Sequence, residues 1–169
     1  MRALTSPRWP AAVLVGGASF ALYLITLAPT MTWANFGTDG GDLISAAATL
    51  GIPHPPGYPL YITLGYVFAQ LPIGPVAFRL NLFSAVCMAL AVALMAWSVP
   101  PTPALPRSHK DANSGGSLPS SPVAEKRSTV LGVSFLAGLA FAAAPLVWGQ
   151  ATIAEVHALN ALLVAAMLA

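Results

Sequence analysis

Two carboxylates separated by two glycines carry the clearest chemical potential in this sequence. They are Asp39 and Asp42 in the string TDGGD, where the glycines allow the backbone to turn tightly beside both acids. A positioned carboxylate can act as a general base that takes the proton of a substrate hydroxyl. Asp42 is also predicted to cap a short amphipathic helix over Leu43–Leu50. This second role slightly favours Asp39 as the base.

A proline-rich turn follows the two acids and contains two further polar side chains. The string GIPHPPGYP has four prolines, which prevent regular hydrogen bonding and stiffen the chain. One interpretation is a rigid corner that begins the next helix. The other is that the stiff backbone directs the His54 imidazole and the Tyr58 hydroxyl toward a phosphate or a sugar. A lone histidine does not make a metal site, so no metal ligand is assigned.

Three more charged or titratable side chains lie beside or inside apolar runs. Arg79 is either an anchor whose charged end reaches the membrane surface or a ligand for an anionic phosphate. Glu155 is predicted about one turn into the last apolar run, where ionisable residues usually face the interior of a bundle. His157 and Asn160 share a helical face that Glu155 does not. A polar contact between helices is the alternative to a functional site there.

The elements that must position these residues are apolar runs long enough to cross a bilayer. The chain is 57% hydrophobic and 7% charged, whereas soluble domains carry roughly 25% charged residues. A bilayer core needs about 20 apolar residues per helix. The sequence therefore predicts an all-α, polytopic membrane protein with about four transmembrane helices: Pro10–Pro29, Leu80–Val99, Val130–Trp148 and Ala151–Ala169. A signal peptide is the alternative for the first run.

The basic residues predict an orientation. All Lys and Arg except Arg79 lie near the N-terminus or in the loop Pro100–Ser128, and basic segments favour the cytoplasmic side. If the N-terminus and this loop lie on the same side, the chain between them must cross the membrane an even number of times. The apolar stretch Tyr58–Leu71 should therefore be interfacial or re-entrant, and not a third crossing.

The predicted organisation has three parts. The first two transmembrane helices occupy 1–99 with an outer loop over 30–79, a flexible cytoplasmic loop spans 100–128, and the third and fourth helices follow in 129–169. The last apolar run continues to the final residue, as expected of a fragment of a longer polytopic protein. No Lys/Arg stripe with interleaved aromatic residues suggests a nucleic-acid partner.

Three strings together resemble a known family: TDGGDLISAAATLGIPHPPGYPLY, FRLNLFSA and WGQATIAEVHALNAL. They resemble a bacterial membrane family long called a domain of unknown function, whose eukaryotic relatives are the transmembrane protein 260-like O-mannosyltransferases. The family pattern usually reads Asp-Ser-Gly-Glu where this chain has Asp39-Gly40-Gly41-Asp42. A serine is lost and a glutamate is shortened, but both carboxylates are kept.

The resemblance implies the N-terminal part of a GT-C glycosyltransferase fold in a bacterial inner membrane, with the N-terminus in the cytoplasm. A polyprenyl-phosphate sugar would be the donor, a protein or glycan hydroxyl the acceptor, and the lipid bilayer a partner. Asp39 or Asp42 would be the catalytic base, with inversion at the anomeric carbon. No cofactor is implied, and a divalent metal requirement is left open. Substrate contacts would come from His54, Tyr58, Arg79, Glu155 and His157.

Two other interpretations compete with a transferase. In a transporter or channel component, Glu155, His157 and Arg79 would mark a pathway through the bundle. The acidic pair in an outer loop and the lack of a pair of interrupted helices speak against that interpretation. The third possibility is an inactive fragment of such a membrane protein.

Overall fold

The computed structural model describes residues 9–98, 132–133 and 135–169, and within these ranges the chain forms helices and turns without strands. The all-α prediction is confirmed for these ranges. The predicted flexible loop 100–128 lies outside them. In chain order the elements are α1 (Trp9–Ile25), a 3-10 turn (Ala34–Phe36), α2 (Gly40–Thr49), α3 (Pro59–Ala69), α4 (Val76–Ser98), α5 (residues 135–142), α6 (Pro145–Ala151) and α7 (His157–Leu168).

Helix α4 is the central element of the fold. It packs against α1, α2, α3, α6 and α7, and its 23 residues give a length of about 34 Å. Within the described ranges it is the one helix that is long and apolar enough to cross a bilayer. The expectation of about four such helices is therefore not supported there, since α1 and α7 contain only 17 and 12 residues and the third predicted run is divided between two helices.

The third predicted span does not continue as one helix. Helix α5 ends at residue 142, and Pro145 begins α6. Proline lacks the N–H that a continuing helix needs but is tolerated in a first turn. The run Val130–Trp148 is consequently divided just before this proline.

The fourth predicted span begins later than expected. Residues 152–156 are not helical, and α7 starts only at His157. The backbone groups of this segment have partners far away in the chain: the Ala28 N–H donates to the Thr152 carbonyl at 3.2 Å, and the Ser84 hydroxyl donates to the Glu155 carbonyl at 3.5 Å. Glu155 therefore lies in a non-helical segment, and its placement one turn inside a helix was wrong.

Small residues allow α1 to approach α4 closely. A Cβ atom placed on Gly16 would lie 2.9 Å from the Cβ of Ala93, so a larger residue would push the helices apart. Close packing through small side chains is the usual way in which apolar helices associate. The Tyr23 hydroxyl adds a hydrogen bond of 3.1 Å to the Ala142 carbonyl of α5.

A buried asparagine on α4 holds the beginning of the segment between α1 and α2. The Asn81 side chain is 1% exposed, and its Nδ2 donates to the carbonyls of Ala28 at 2.7 Å and Thr30 at 3.2 Å. The Gln150 amide of α6 donates to the Asn35 carbonyl in the same segment at 2.8 Å. The residues that lead into α2 are thus fixed to both α4 and α6.

Candidate functional site

Asp39 and Asp42 occupy different positions at the N-terminus of α2 from the predicted ones. The helix begins at Gly40, where the Asp39 carbonyl accepts the first helical hydrogen bond from Leu43 at 2.9 Å. Asp39 is thus the N-cap residue, although its side chain makes no capping hydrogen bond, and Asp42 lies in the first turn. The prediction that Asp42 caps the helix was wrong, because its carboxylate has a different partner.

That partner is His54 in the proline-rich turn. One oxygen of Asp42, Oδ2, accepts the His54 backbone N–H at 2.8 Å and lies 2.8 Å from the ring Nδ1. The other ring nitrogen, Nε2, is 3.6 Å from Oδ2 of Asp39. The imidazole therefore lies between the two predicted base candidates, and all three side chains remain partly exposed.

Tyr58 completes the group that the sequence predicted around the turn. Its ring meets the His54 ring edge-on, with centroids 5.5 Å apart. Asp39, Asp42, His54 and Tyr58 are consequently brought together at one end of α2 and α3, as expected from a stiff turn that joins these two helices.

Hydrogen bonding makes the two acids chemically unequal. The His54 backbone N–H, and then its ring, stabilise the Asp42 carboxylate and lower the pKa of Asp42. The hydrogen bond to Asp42, followed by the negative charge of Asp39, raises the pKa of His54 above its ordinary value. Asp42 is thereby a weaker proton acceptor. Asp39 has a long 3.4 Å hydrogen bond from the Thr38 hydroxyl and a 3.6 Å contact with the His54 ring, so its carboxylate is held less closely than that of Asp42.

Glu155 reaches this site from the distant end of the described chain. It is 3% exposed, and its Oε1 has no hydrogen-bond partner among the described residues. Burial, and secondly the charge of Asp39, raise the pKa of Glu155, whereas a hydrogen bond from the Asp39 backbone lowers it. The structure therefore places a buried carboxyl group directly beside the candidate base.

Two residues behind Glu155 were missed by sequence reasoning. Tyr61 is 2% exposed, and its hydroxyl is buried beside that of Ser84, while Ser84 on α4 also contacts the Glu155 carbonyl. Both resemble ordinary core residues in the sequence, so no signal there distinguished them.

Arg79 and His157 occupy different surroundings. The Arg79 guanidinium donates hydrogen bonds to the carbonyls of Ala69, Ile73 and Gly74, where α3 ends. This position closes the turn between α3 and α4, and a phosphate contact by Arg79 stays a prediction. His157 is exposed at the first residue of α7, and its charge acts to lower the pKa of Glu155.

A cavity of about 220 Å³ opens beside these groups, between the N-terminal parts of α3 and α7. Its walls consist of two tyrosines, one asparagine and apolar side chains: Tyr58, Pro59, Leu60, Tyr61, Val156, Leu159, Asn160 and Leu163. Over the described ranges, no set of three His, Cys, Asp or Glu side chains is placed to hold a metal ion. The site therefore combines two carboxylates, an imidazole between them and an adjacent cavity.

Comparison with known proteins gives one family. The family model described as the Protein O-mannosyl-transferase TMEM260 N-terminal domain matches residues 39–169. This range includes both acids and Glu155. No solved structure matches the chain significantly.

Two similar proteins carry the same name. A mouse protein, "Protein O-mannosyl-transferase TMEM260", is 39% identical over 93 residues, which cover 54% of this chain and 13% of the mouse protein. A Dictyostelium discoideum protein of that name is 42% identical over 50 residues, or 30% of this chain and 6% of that protein. The matched part is thus a small share of either relative. Because the family model covers most of the chain, this protein belongs to the family of the Protein O-mannosyl-transferase TMEM260 N-terminal domain.

Proposed function

We propose that this chain carries the catalytic base of a membrane glycosyltransferase of the O-mannosyltransferase type. The donor is a polyprenyl-phosphate sugar, and the acceptor is a hydroxyl of a protein or glycan on the extracytoplasmic side. The observation that carries the proposal is the Asp39 carboxylate, which has no strong hydrogen bond of its own and lies beside His54 and Glu155. Its relatives are named as O-mannosyltransferases, which supports the same reaction class.

The proposed step is a single displacement with inversion. The acceptor oxygen attacks the anomeric carbon of the sugar and forms a new C–O bond. The bond between that carbon and the phosphate oxygen breaks, and its electron pair leaves with the polyprenyl phosphate. The acceptor proton moves to Asp39, and a positioned base of this kind typically contributes roughly 10²–10⁴-fold to the rate.

In this proposal His54 contacts the phosphate of the donor. Asp42 fixes the imidazole through two contacts of 2.8 Å, and the raised pKa keeps a larger share of it protonated at neutral pH. A cation at this position favours the phosphate that carries the developing negative charge. Asp42 is thereby a positioning residue for His54.

We further propose a multi-pass arrangement of the GT-C type in a bacterial inner membrane, with the N-terminus in the cytoplasm. Helix α4 crosses the bilayer with its N-terminal end outside, while α2 and α3 lie along the outer surface. Helix α3 spans only about 16 Å, given its 11 residues, which is short of the roughly 30 Å of a bilayer core. The aspartates then face the compartment in which the acceptor is found.

A reconstituted transfer assay tests this function. The full protein is incubated with a panel of polyprenyl-phosphate sugars and a hydroxyl acceptor, and the product is identified by mass spectrometry. Transfer of one sugar, expected to be mannose, supports the proposal, and its anomeric configuration should be opposite to that of the donor. Absence of transfer from every donor in the panel contradicts it.

A further inference from the structure

The cavity between α3 and α7 adjoins the candidate base without containing it. Tyr58 lines the cavity and also contacts His54, and Val156 lines it directly after Glu155 in sequence. A group held in the cavity would consequently lie next to the side chains that perform the proposed reaction.

The lining combines aromatic and apolar surface with a few polar groups. Tyrosine rings and leucines form most of the wall, and Tyr58 and Asn160 are the lining residues that can contribute polar groups to it. Binding sites for small molecules commonly have this composition, with apolar walls and a few polar groups that fix orientation. A sugar ring has matching surfaces, since its C–H faces pack against aromatic rings while its hydroxyl groups form hydrogen bonds.

Two buried polar groups lie behind the cavity wall. The Tyr61 hydroxyl is buried beside the Ser84 hydroxyl, and the Glu155 Oε1 has no hydrogen-bond partner among the described residues. Tyr61 is itself part of the wall, and Glu155 directly precedes Val156, which also lines it. A ligand with hydroxyl groups matches these polar surroundings better than a hydrocarbon chain does.

The α3–α7 cavity is smaller than the groove between α1 and α4. At about 220 Å³ it is smaller than the roughly 300–1,000 Å³ of sites for drug-sized ligands, as suits a single sugar ring. The groove between α1 and α4 has about 470 Å³ and is lined mostly by alanine, glycine, valine and leucine. That groove includes Gly16 and Trp97, far along both helices from Asn81 and the acids.

We propose that the α3–α7 cavity binds the sugar ring of the donor, with the Asn160 amide as a hydrogen-bonding group and the Tyr58 ring as a stacking surface. This inference rests on the proposed function, because it names the subsite for the transferred sugar. The lipid phosphate then lies outside the cavity, toward His54.

Thiol protection measures occupancy of the cavity without requiring transfer. Leu163→Cys places a thiol on the cavity wall, and Val164→Cys, one residue later and absent from the wall, is the matched control. Both are made in the full protein freed of other reactive cysteines, including Cys87, and labelled with a maleimide in detergent. A polyprenyl-phosphate sugar should slow labelling at position 163 at least several-fold and leave position 164 unchanged, while polyprenyl phosphate without sugar should protect neither.

Kinetics provide the second measurement. Asn160→Leu removes the amide and keeps a similar size, so it should raise the KM for the donor roughly 2- to 12-fold with a smaller effect on kcat. Gln70→Leu, which removes an exposed amide outside the cavity lining, is the matched control and should leave the donor KM unchanged.

The outcomes distinguish this inference from the proposed function. If sugar is transferred but the donor does not protect position 163, the cavity is not the sugar site and only this inference fails. Equal protection by polyprenyl phosphate alone would show a lipid site and would also overturn it. Protection without any transfer would support the cavity while contradicting the transferase. If neither protection nor transfer is observed, both fail.

Discussion

The buried asparagine of α4 offers a direct test of how the acidic site is positioned. Asn81 fixes the residues that lead into α2 by donating to the carbonyls of Ala28 and Thr30. Asn81→Leu keeps a similar size but removes both donated hydrogen bonds. The change lies on α4, so it can affect the Asp39 carboxylate only through the connecting segment.

The expected cost follows from the burial of the two carbonyls. The Ala28 carbonyl is partly buried, so the loss of its partner costs roughly 1–3 kcal/mol. The Thr30 residue is exposed, and water can replace its partner, so only about 0.5–1.5 kcal/mol is lost there. Asn81→Leu should therefore lower the free energy of unfolding by about 1.5–4.5 kcal/mol.

Unfolding of the full protein in mixed detergent, followed by circular dichroism, measures this cost. The matched control is Asn160→Leu, since Asn160 is exposed on α7 and exposed substitutions usually change stability by less than about 0.5 kcal/mol. A change below about 0.5 kcal/mol in Asn81→Leu would refute the reasoning, because it would mean that the two hydrogen bonds do not hold the segment.

Three further predictions concern the site and its support. Removing the charge in Asp42→Asn should lower the pKa of His54 toward its ordinary value, measured by NMR titration of the ring. Protonated His54 stabilises the folded protein fully below about pH 6.5, the pKa of an unperturbed histidine. This stabilisation should be lost as the pH rises through the raised pKa of His54 in the folded protein. Burial raises the pKa of Glu155 in the folded protein, so Glu155→Gln should raise the free energy of unfolding above about pH 4.3, where the carboxyl ionises in the unfolded chain. Below that pH the substitution should have little effect. Equal changes in the free energy of unfolding at about pH 4 and about pH 7 would contradict this prediction. Gly65→Ala should cost about 1–3 kcal/mol by overpacking, since its Cβ would lie 2.9 Å from an α4 leucine. The control Gly17→Ala has open space and should cost nothing in thermal unfolding.

Contacts that are local in sequence are the part of the site that could be predicted. Asp42 and His54 are separated by one short helix and a stiff turn, so the prolines and glycines there are compatible with a contact between them, although each residue was assigned to the site separately. The identity of the contact was not predictable, because an aspartate in a first turn can cap its own helix or bind a neighbouring loop. The structure shows the second alternative.

Contacts between distant segments were not predictable from periodicity. Glu155 was assigned to a helix because apolar residues surround it, yet its carbonyl bonds to α4 and the helix starts two residues later. Pro145 was a sign of the break at residues 143–144, whereas the apolar run Ala151–Ala169 gave no comparable sign of the break at residues 152–156. Hydropathy reports burial or lipid contact, and it does not distinguish a continuous helix from two short ones.

The most direct test of the proposed function compares the transfer kinetics of two aspartate variants. Asn has nearly the same shape as Asp but cannot accept the proton, so Asp39→Asn should reduce kcat about 10²–10⁴-fold, equivalent to roughly 2.7–5.4 kcal/mol. Asp42→Asn should have a smaller effect on kcat, since Asp42 positions His54. In single-turnover assays of the full protein, we expect the rate of sugar transfer to fall further in Asp39→Asn than in Asp42→Asn. A near wild-type kcat for Asp39→Asn in correctly inserted protein would contradict the assignment of Asp39 as the base.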